Sequence, residues 1–131
     1  MSDSSTVDIT ERLFTPAEAR AALKLLSVEI ATLKELVDAA ERPAMQTDDE
    51  KLRELRERME TVLEAIRARG VTVKGLNPLL LDFPGRRNGA DIYLCWREGE
   101  RDITHWHPRA TGFADRRAIG GEGQFAFEYA N

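Results

Sequence analysis

The two histidines of this sequence are its most suitable residues for chemistry near neutral pH. His105 and His107 are the only histidines, and a single residue separates them. On a β-strand this spacing places both imidazoles on one face of the sheet, where they could bind a metal ion or transfer a proton. A metal site needs a third ligand. Asp82, Asp102 and Cys95 are the candidates, and strand parity favours Asp82 over Cys95. The competing interpretation, which we favour, is that both imidazoles pack at the edge of an apolar face and form ordinary hydrogen bonds.

The position of Cys95 relative to the histidines depends on the loop around Gly99. If Gly99 and Glu100 form a two-residue turn of type II′, Leu94 faces His105 and Cys95 points to the opposite face. A loop that is one residue longer, or a bulge at Gly99, would reverse this parity and place Cys95 beside the histidines. We favour the two-residue turn and expect Cys95 to be a buried, unreactive thiol.

The favoured register divides the residues of two strands between the faces of the sheet. The more apolar face, which we expect to contact the helices, carries Ile92, Leu94, Trp96, Ile103, His105 and His107. The opposite face carries Tyr93, Cys95, Arg97, Asp102, Thr104 and Trp106.

A binding site for a small anion is the second kind of chemistry that the sequence allows. Its expected residues are Asp82, Arg97, His107 and Arg116, whereas the expected metal ligands are Asp82, His105 and His107. If the loops converge, their arginines would form a patch suited to phosphate or carboxylate, made of Arg86, Arg87, Arg109, Arg116 and Arg117. Acidic residues in the same half of the chain offset this charge. Asp82 could instead fix the turn that follows it or form an ion pair.

Helical periodicity dominates the first half of the chain. Thr15, Pro16 and Glu18 form the signal of a capping box, with a hydroxyl at the N-cap, proline at the first helical position and glutamate at the third. An apolar stripe follows at steps of three and four residues and continues until Pro43. The pattern predicts one helix from Pro16 to about Glu41.

A second helix is predicted after a short connection. Thr47 supplies its expected N-cap, apolar residues recur from Leu52 to Ile66, and Gly70 marks the expected C-terminal cap. A connection of about four residues requires the two helices to fold back antiparallel as a long helical hairpin.

The predicted hairpin has two apolar flanks, and a sheet of about three short strands can cover only one of them. We expect the other flank to pair with a second copy of the chain, which makes the protein a homodimer. The residues of this flank would include Leu25, Val28 and Leu63.

The second half of the chain predicts a small, mostly antiparallel sheet. Its strand signals are a leucine run at 79–81 and alternating segments at 90–97 and 103–107. Residues 84–89 are predicted to form a turn. Near the end of the sequence, the spacing of Phe125, Phe127 and Tyr129 predicts an edge strand or a docking segment.

The whole chain is expected to fold as one α+β domain, in which the long antiparallel hairpin packs on the small sheet. Its predicted parts are a flexible N-terminal tail (1–12), the helical hairpin (13–70), the β-sheet region (71–119) and a Gly-rich aromatic tail (120–131).

Composition excludes several classes of function. The 131 residues carry a net charge of −4, which argues against general binding of nucleic acid or anionic membranes. No apolar run has the length of a membrane span, and the first residues lack the pattern of a signal peptide. We therefore expect a cytoplasmic protein, and its single cysteine excludes an intrachain disulfide.

Short motifs spread along the chain resemble those of a known family. In chain order they are LFTPAEAR (13–20), LDFP (81–84), LCWR (94–97), GE (99–100), WH (106–107) and GFA (112–114) followed by Arg116. Together they resemble, over residues 13–118, a family of small bacterial proteins catalogued as domain of unknown function 2203. The resemblance implies a fold and no activity.

The strongest signals of the sequence specify packing, so we expect a non-enzymatic interaction or assembly module that needs no cofactor. Its partners would be a second copy and another protein. The alternative is a protein that binds a small anion or a metal, or a weak hydrolase, and that uses Asp82, His105, His107 and Arg116. Convergence of these four side chains in a concave site would favour the alternative.

Overall fold

The structure is a computed structural model that describes residues 11–125. Within this range the chain combines helices with an antiparallel sheet, so the predicted α+β class is confirmed. The helices are α1 (Pro16–Leu25), α2 (Ser27–Glu41), α3 (Pro43–Gln46) and α4 (Asp49–Arg67). The strands are β1 (Thr72–Leu76), β2 (Leu79–Arg87), β3 (Ala90–Arg97), β4 (His105–Pro108) and β5 (Arg117–Ala118). Two 3₁₀ turns follow β4, at Phe113–Asp115 and Glu122–Phe125.

The two predicted helix starts have different outcomes. At α1 the capping box is confirmed, because the Glu18 N–H donates to Thr15 Oγ1 over 3.2 Å and Glu18 Oε1 accepts from the Thr15 N–H over 2.9 Å. At α4 the expected cap, Thr47, is wrong. Asp48 caps this helix by accepting from the Lys51 N–H over 3.1 Å, whereas the Thr47 hydroxyl faces a carbonyl of α3. The short helix α3 therefore moves the start of α4 by one residue.

The single helix expected from Pro16 to about Glu41 is divided at Leu26. This residue has φ −91° and ψ 8°, and its N–H bonds to the carbonyls of both Ala22 and Leu23. Leu26 is fully buried. The helix is therefore interrupted at a buried leucine, at a point where the sequence has neither proline nor glycine.

Helices α2 and α4 pack along each other after the short α3 connection. Leu52 and Ile66 of α4 are buried, and Leu63 packs partly buried against the core. Leu63, which was assigned to the exposed flank, is thus partly covered by the core of its own chain. Leu25 and Val28, which were assigned to the same flank, are exposed.

The sheet has the order β1-β2-β3-β4-β5, and β3 coincides with the alternating segment predicted at 90–97. The turn expected at 84–89 is wrong in its first half, because β2 continues to Arg87. Pro84 fits within the strand because its carbonyl accepts the Phe14 N–H over 2.7 Å, on the side away from β3. At Gly85 a Cβ atom would lie 2.8 Å from the Phe14 carbonyl oxygen, so this close approach requires glycine.

The β3–β4 hairpin has the register that we did not favour. Its turn closes one residue earlier than expected, because the Glu100 N–H donates to the Arg97 carbonyl over 2.9 Å and Gly99 has a φ of +100°. The chain then continues without pairing until β4 begins at His105, not at residue 103. The pairs are Ile92 with Pro108, Tyr93 with His107, Leu94 with Trp106 and Cys95 with His105.

This register changes the predicted faces of three residues. His105 and His107 lie on the same face as Cys95, away from the helices, and Trp106 lies in the core instead. The helices cover the other face, where the largest buried side chains include Phe14, Leu26, Leu33, Ile66, Leu81, Phe83, Leu94, Ile103 and Phe125.

The segment after β5 returns to the core. Phe125 is fully buried in a 3₁₀ turn, with its ring centre 6.2 Å from that of Trp106, so it does not belong to the expected edge strand. Phe127 and Tyr129 lie outside the described residues, as does most of the tail predicted at 1–12. In the described part of the chain, no helix has the length and apolar character needed to cross a bilayer.

Candidate functional site

Polar residues gather on the face of the sheet that the helices leave uncovered. Across β2, β3 and β4, Asp82 pairs with Cys95 and Cys95 with His105, while Tyr93 pairs with His107. The segment that connects β4 with β5 crosses this face, since one of its arginines contacts Cys95 and another stacks on Tyr93. A loop and not a helix therefore covers the polar side of the sheet.

A buried pair of Asp82 and His107 lies at the centre of this face. The two residues are only 4% and 3% exposed. His107 Nε2 lies 3.3 Å from each of the two carboxylate oxygens of Asp82. Because β3 separates their strands, the two side chains meet above the middle strand.

The second ring nitrogen of His107 shows how this pair holds its proton. His107 Nδ1 lies 2.8 Å from the Pro108 carbonyl oxygen, which can only accept a hydrogen bond, so Nδ1 carries a proton. A neutral His107 then has no proton on Nε2, and its hydrogen bond with Asp82 requires a protonated carboxyl group. A charged His107 donates from Nε2 to an ionised carboxylate. In both states the pair shares one proton and has no net charge.

Burial and neighbouring cations act in opposite directions on Asp82. Burial raises the pKa of Asp82 above its ordinary value of 3.8 and outweighs His107, Lys74 and Arg116, which lower it. Lys74 Nζ lies 3.8 Å from Asp82 Oδ2 and 4.7 Å from the centre of the Tyr93 ring. The pKa of this carboxyl group is therefore closer to neutral pH than that of an exposed aspartate.

A cavity of about 210 Å³ opens beside the pair, and we call it the Asp82 pocket. Its lining residues are Lys74, Leu80, Asp82, His107, Thr111, Gly112 and Phe113. The Thr111 hydroxyl donates to the Pro108 carbonyl over 3.2 Å, which leaves its oxygen able to accept a hydrogen bond. The pocket thus combines a cation, a buried acid–base pair, a hydroxyl group and apolar walls.

A second polar cluster joins Arg116, Glu100 and Cys95. Arg116 donates to both Glu100 carboxylate oxygens over 2.6 and 2.8 Å, and its Nε donates to Cys95 Sγ over 3.3 Å. Partial burial acts to raise the pKa of Glu100, but hydrogen bonds from Arg116 and the Arg97 N–H outweigh it, so that pKa is lowered. Burial raises the pKa of Cys95 despite the opposing effect of Arg116. Glu100 therefore neutralises Arg116, and Cys95 is a protonated thiol at neutral pH.

Both clusters lie inside a region that a protein family shares. The family described as uncharacterized conserved protein (DUF2203) matches residues 12–119. The chain belongs to this family. No curated protein and no solved structure matches the chain. All seven residues that line the Asp82 pocket fall within the matched region.

In this DUF2203 member, the residues expected to bind a small ligand are only partly brought together. Asp82 and His107 meet in the pocket, and Arg116 approaches them through its contact with Cys95. Arg97 is exposed at the end of β3, and its guanidinium has neither a hydrogen bond nor an ion pair with any residue from 11 to 125.

His105 lies on the same face, but it takes no part in the buried pair. Its Nδ1 atom lies 2.9 Å from Thr104 Oγ1. Among the described residues, no group of three or more His, Cys, Asp or Glu side chains is placed to hold a metal ion. A metal ion bound by Asp82, His105 and His107 stays a prediction.

The arginines expected to form an anion-binding patch have separate partners. The ion pairs are Arg86 with Asp91, Arg109 with Glu11, Arg116 with Glu100 and Arg117 with Asp115. Arg87 and Arg117 share a neighbour, since they lie 4.7 and 5.2 Å from the centre of the Trp106 ring. Carboxylates therefore offset most of the charge that the patch was expected to carry.

Five of the seven residues that line the Asp82 pocket were not selected as site residues from the sequence, namely Lys74, Leu80, Thr111, Gly112 and Phe113. Lys74 lies at a β-bulge between Val73 and Gly75, which interrupts the pairing of β1 with β2. A glycine inside a strand is the signal that could have indicated this bulge. Thr111 and Phe113 carry no such signal, because their position depends on how the β4–β5 connection folds over the sheet.

Proposed function

We propose that this chain is a small-molecule-binding protein whose ligand occupies the Asp82 pocket. The observation that carries the proposal is the Asp82–His107 pair, which is almost completely buried and yet borders a cavity. Buried ion pairs stabilise a fold no better than well-packed apolar residues of similar size, so packing alone does not account for this one. A carboxyl group with a shifted pKa beside a cavity is typical of a binding or active site.

The hydrogen bonds of His107 support separate roles for the two residues. Both ring nitrogens are occupied, Nδ1 by the Pro108 carbonyl and Nε2 by Asp82, so His107 orients the carboxyl group. Asp82 retains acceptor capacity, because a carboxylate has about four lone-pair positions. Asp82 is thus the group that a ligand would contact. The proposal assigns binding and no reaction.

Stabilisation by ligands tests this proposal, because a compound that binds only the native state raises Tm. Wild-type protein would be screened against small carboxylates, amino acids, phosphate esters and neutral sugars. Asp82→Asn would be screened in parallel, and Asp91→Asn serves as a control because Asp91 pairs with Arg86 at the surface. We expect at least one class to stabilise wild type and Asp91→Asn, with little effect on Asp82→Asn. Equal shifts in all three proteins, or no shift in any, would contradict the proposal.

We also propose assembly through the helices, as a non-enzymatic interaction module. Leu25 and Val28 support it, because they are 65% and 71% exposed at the junction of α1 and α2. A groove of about 520 Å³ along α1 and α2 includes the apolar side chains of Leu23, Ile30 and Trp96. In this proposal α1, α2 and α4 act as one long antiparallel coiled-coil hairpin, and two copies form a homodimer through its exposed flank.

Sedimentation equilibrium at micromolar concentration tests the assembly proposal. Wild type should have twice the chain mass of 14.8 kDa, and Val28→Glu should have the mass of one chain, because it places a charge in the interface. Thr61→Glu, on the exposed side of α4, should leave the mass of the assembly unchanged. A single-chain mass for wild type at every concentration would exclude the homodimer.

Two further proposals concern location and metal binding. A cytoplasmic location is supported by the single cysteine, Cys95, which is a free buried thiol. Metal binding by Asp82, His105 and His107 is supported only by their position on one face of the sheet. Elemental analysis tests the metal-binding proposal. It would compare wild-type protein purified without an affinity tag with a His105→Ala, His107→Ala variant.

A further inference from the structure

Lys74 gives the Asp82 pocket its net charge. When the Asp82–His107 pair shares one proton, the pair has no net charge. The two guanidinium groups nearby are each paired with a carboxylate, Arg116 with Glu100 and Arg109 with Glu11. Among the described residues that line the pocket, Lys74 is the cation, and its 3.8 Å distance from Asp82 is too long for a hydrogen bond. Its ammonium group therefore favours an anionic group on the ligand.

The distance between Lys74 and Asp82 suits a ligand whose acceptor and donor are adjacent. In an acid that carries a hydroxyl or ammonium group on its α-carbon, that group lies about 2.7 Å from the nearer carboxylate oxygen. Two hydrogen bonds of about 2.8 Å would then join these atoms to Lys74 Nζ and Asp82 Oδ2 across the 3.8 Å gap. A plain carboxylate would give Asp82 no donor, and an amine or alcohol would give Lys74 no anion.

The size and walls of the pocket limit the rest of the ligand. Its volume of about 210 Å³ is below the roughly 300–1,000 Å³ of pockets that hold drug-sized compounds. Leu80 and Phe113 provide apolar surface opposite the polar floor. The remainder of the ligand is therefore short and can be apolar.

From these features, and resting on the proposed function, we infer that the Asp82 pocket binds a small α-substituted carboxylic acid. Its carboxylate contacts Lys74, and its α-hydroxyl or α-ammonium group donates to Asp82. Amino acids and α-hydroxy acids share this chemistry, and the two classes are separate arms of the test.

Calorimetric titration of wild-type protein with matched compounds tests the inference. One carbon skeleton provides L-valine, α-hydroxyisovalerate, isovalerate without the α-donor, and valinol without the carboxylate. A smaller skeleton provides glycine, glycolate, acetate and ethanolamine. Within one skeleton, we expect the amino acid or the hydroxy acid to bind at least about tenfold more tightly than the two compounds that lack a group, which is the effect of one charge-assisted hydrogen bond.

A variant of Lys74 tests whether this residue causes the preference for α-substituted acids. Lys74→Gln, at an exposed position on β1, should bind L-valine as weakly as valinol, whereas Lys34→Gln on α2 should behave as wild type. If isovalerate or valinol binds wild type as tightly as the α-substituted acids, the inference is wrong although small-molecule binding stands. If Lys74→Gln still binds the α-substituted acids more tightly than the matched compounds by the same factor as wild type, the inference is also wrong. If no compound of this set or of the broader screen binds, both the inference and the proposed function are wrong.

Discussion

The Asp82 carboxylate contacts the His107 imidazole over 3.3 Å although an entire strand, β3, lies between their strands. The proton that His107 holds on Nδ1 for the Pro108 carbonyl fixes the orientation of this ring. As a result, the Asp82 carboxyl group has one oriented partner and keeps free acceptor positions toward the cavity. The same contact connects β2 with β4 on the side of the sheet that lacks helices.

The stability that Asp82 contributes is predicted to decrease as pH rises. Burial raises the pKa of Asp82 above 3.8 against the effects of His107, Lys74 and Arg116, so the native state binds this proton more tightly than the unfolded chain. The contribution is complete below pH 3.8 and is lost as pH rises through the raised pKa. Urea denaturation at a series of pH values should therefore show wild type losing stability relative to Asp82→Asn. A difference that stays constant or grows with pH would be incompatible with this account.

The ion pair of Arg116 with Glu100 is predicted to stabilise the fold measurably. It has two short hydrogen bonds and is partly buried. A double-mutant cycle with Arg116→Gln and Glu100→Gln should give a coupling energy of about 1–2 kcal/mol. The exposed pair of Arg53 and Glu57, with its 3.6 Å contact, is the control and should give less than about 0.5 kcal/mol. Equal coupling in both pairs would show that burial adds nothing at Arg116.

Cys95 is predicted to be unreactive in the native protein. It is almost fully buried, and burial raises the pKa of its thiol, so the reactive thiolate is scarce at neutral pH. Iodoacetamide should modify it at least about 100-fold more slowly in native protein than in urea, because modification requires opening of the structure. Comparable rates in the two conditions would mean that the β4–β5 connection does not protect this face.

The sequence predicts those parts of the fold that local rules determine. Alternation gives the bounds of β3, and the Thr15 capping box gives the start of α1. Tertiary contacts determine the other parts. Pro84 remains within β2 because its nitrogen, which cannot donate, lies on the side away from β3, where its carbonyl accepts from Phe14, a residue distant in the sequence.

The site was predicted less completely, because its geometry depends on the register of the β3–β4 hairpin. A two-residue turn of Gly99 and Glu100 is the locally favoured structure, but packing within the loop accompanies a longer connection between the paired residues of β3 and β4. Ile103 is fully buried, and the Trp96 indole N–H donates to the Glu100 carbonyl over 2.9 Å. Asp82 and His107 were selected by residue type and do come together, whereas Lys74 depends on a bulge that the sequence indicates only through Gly75.

The corrected start of α4 gives a prediction about helix capping. Asp48→Ala and Thr15→Ala should each lower the free energy of unfolding by about 1 kcal/mol, because each removes an acceptor for a helical N–H. Thr47→Ala should change it by less than about 0.5 kcal/mol, since the Thr47 hydroxyl caps no helical N–H. Chemical denaturation of the three variants measures these effects. A larger loss of unfolding free energy for Thr47→Ala than for Asp48→Ala would show that Thr47, and not Asp48, caps α4.

The central claim, that a ligand binds beside Asp82 and His107, is tested most directly by NMR of the two imidazoles. A compound that stabilises the protein would be titrated while the ring ¹⁵N signals of His107 and His105 and the indole signal of Trp96 are followed. The His107 signals should shift and saturate with the ligand, because its Nε2 bonds to the Asp82 carboxyl group that receives the ligand. His105 should move little, since its ring bonds to Thr104 outside the pocket. A ligand that binds and shifts the Trp96 indole of the helix-side groove but leaves His107 unchanged would contradict the claim.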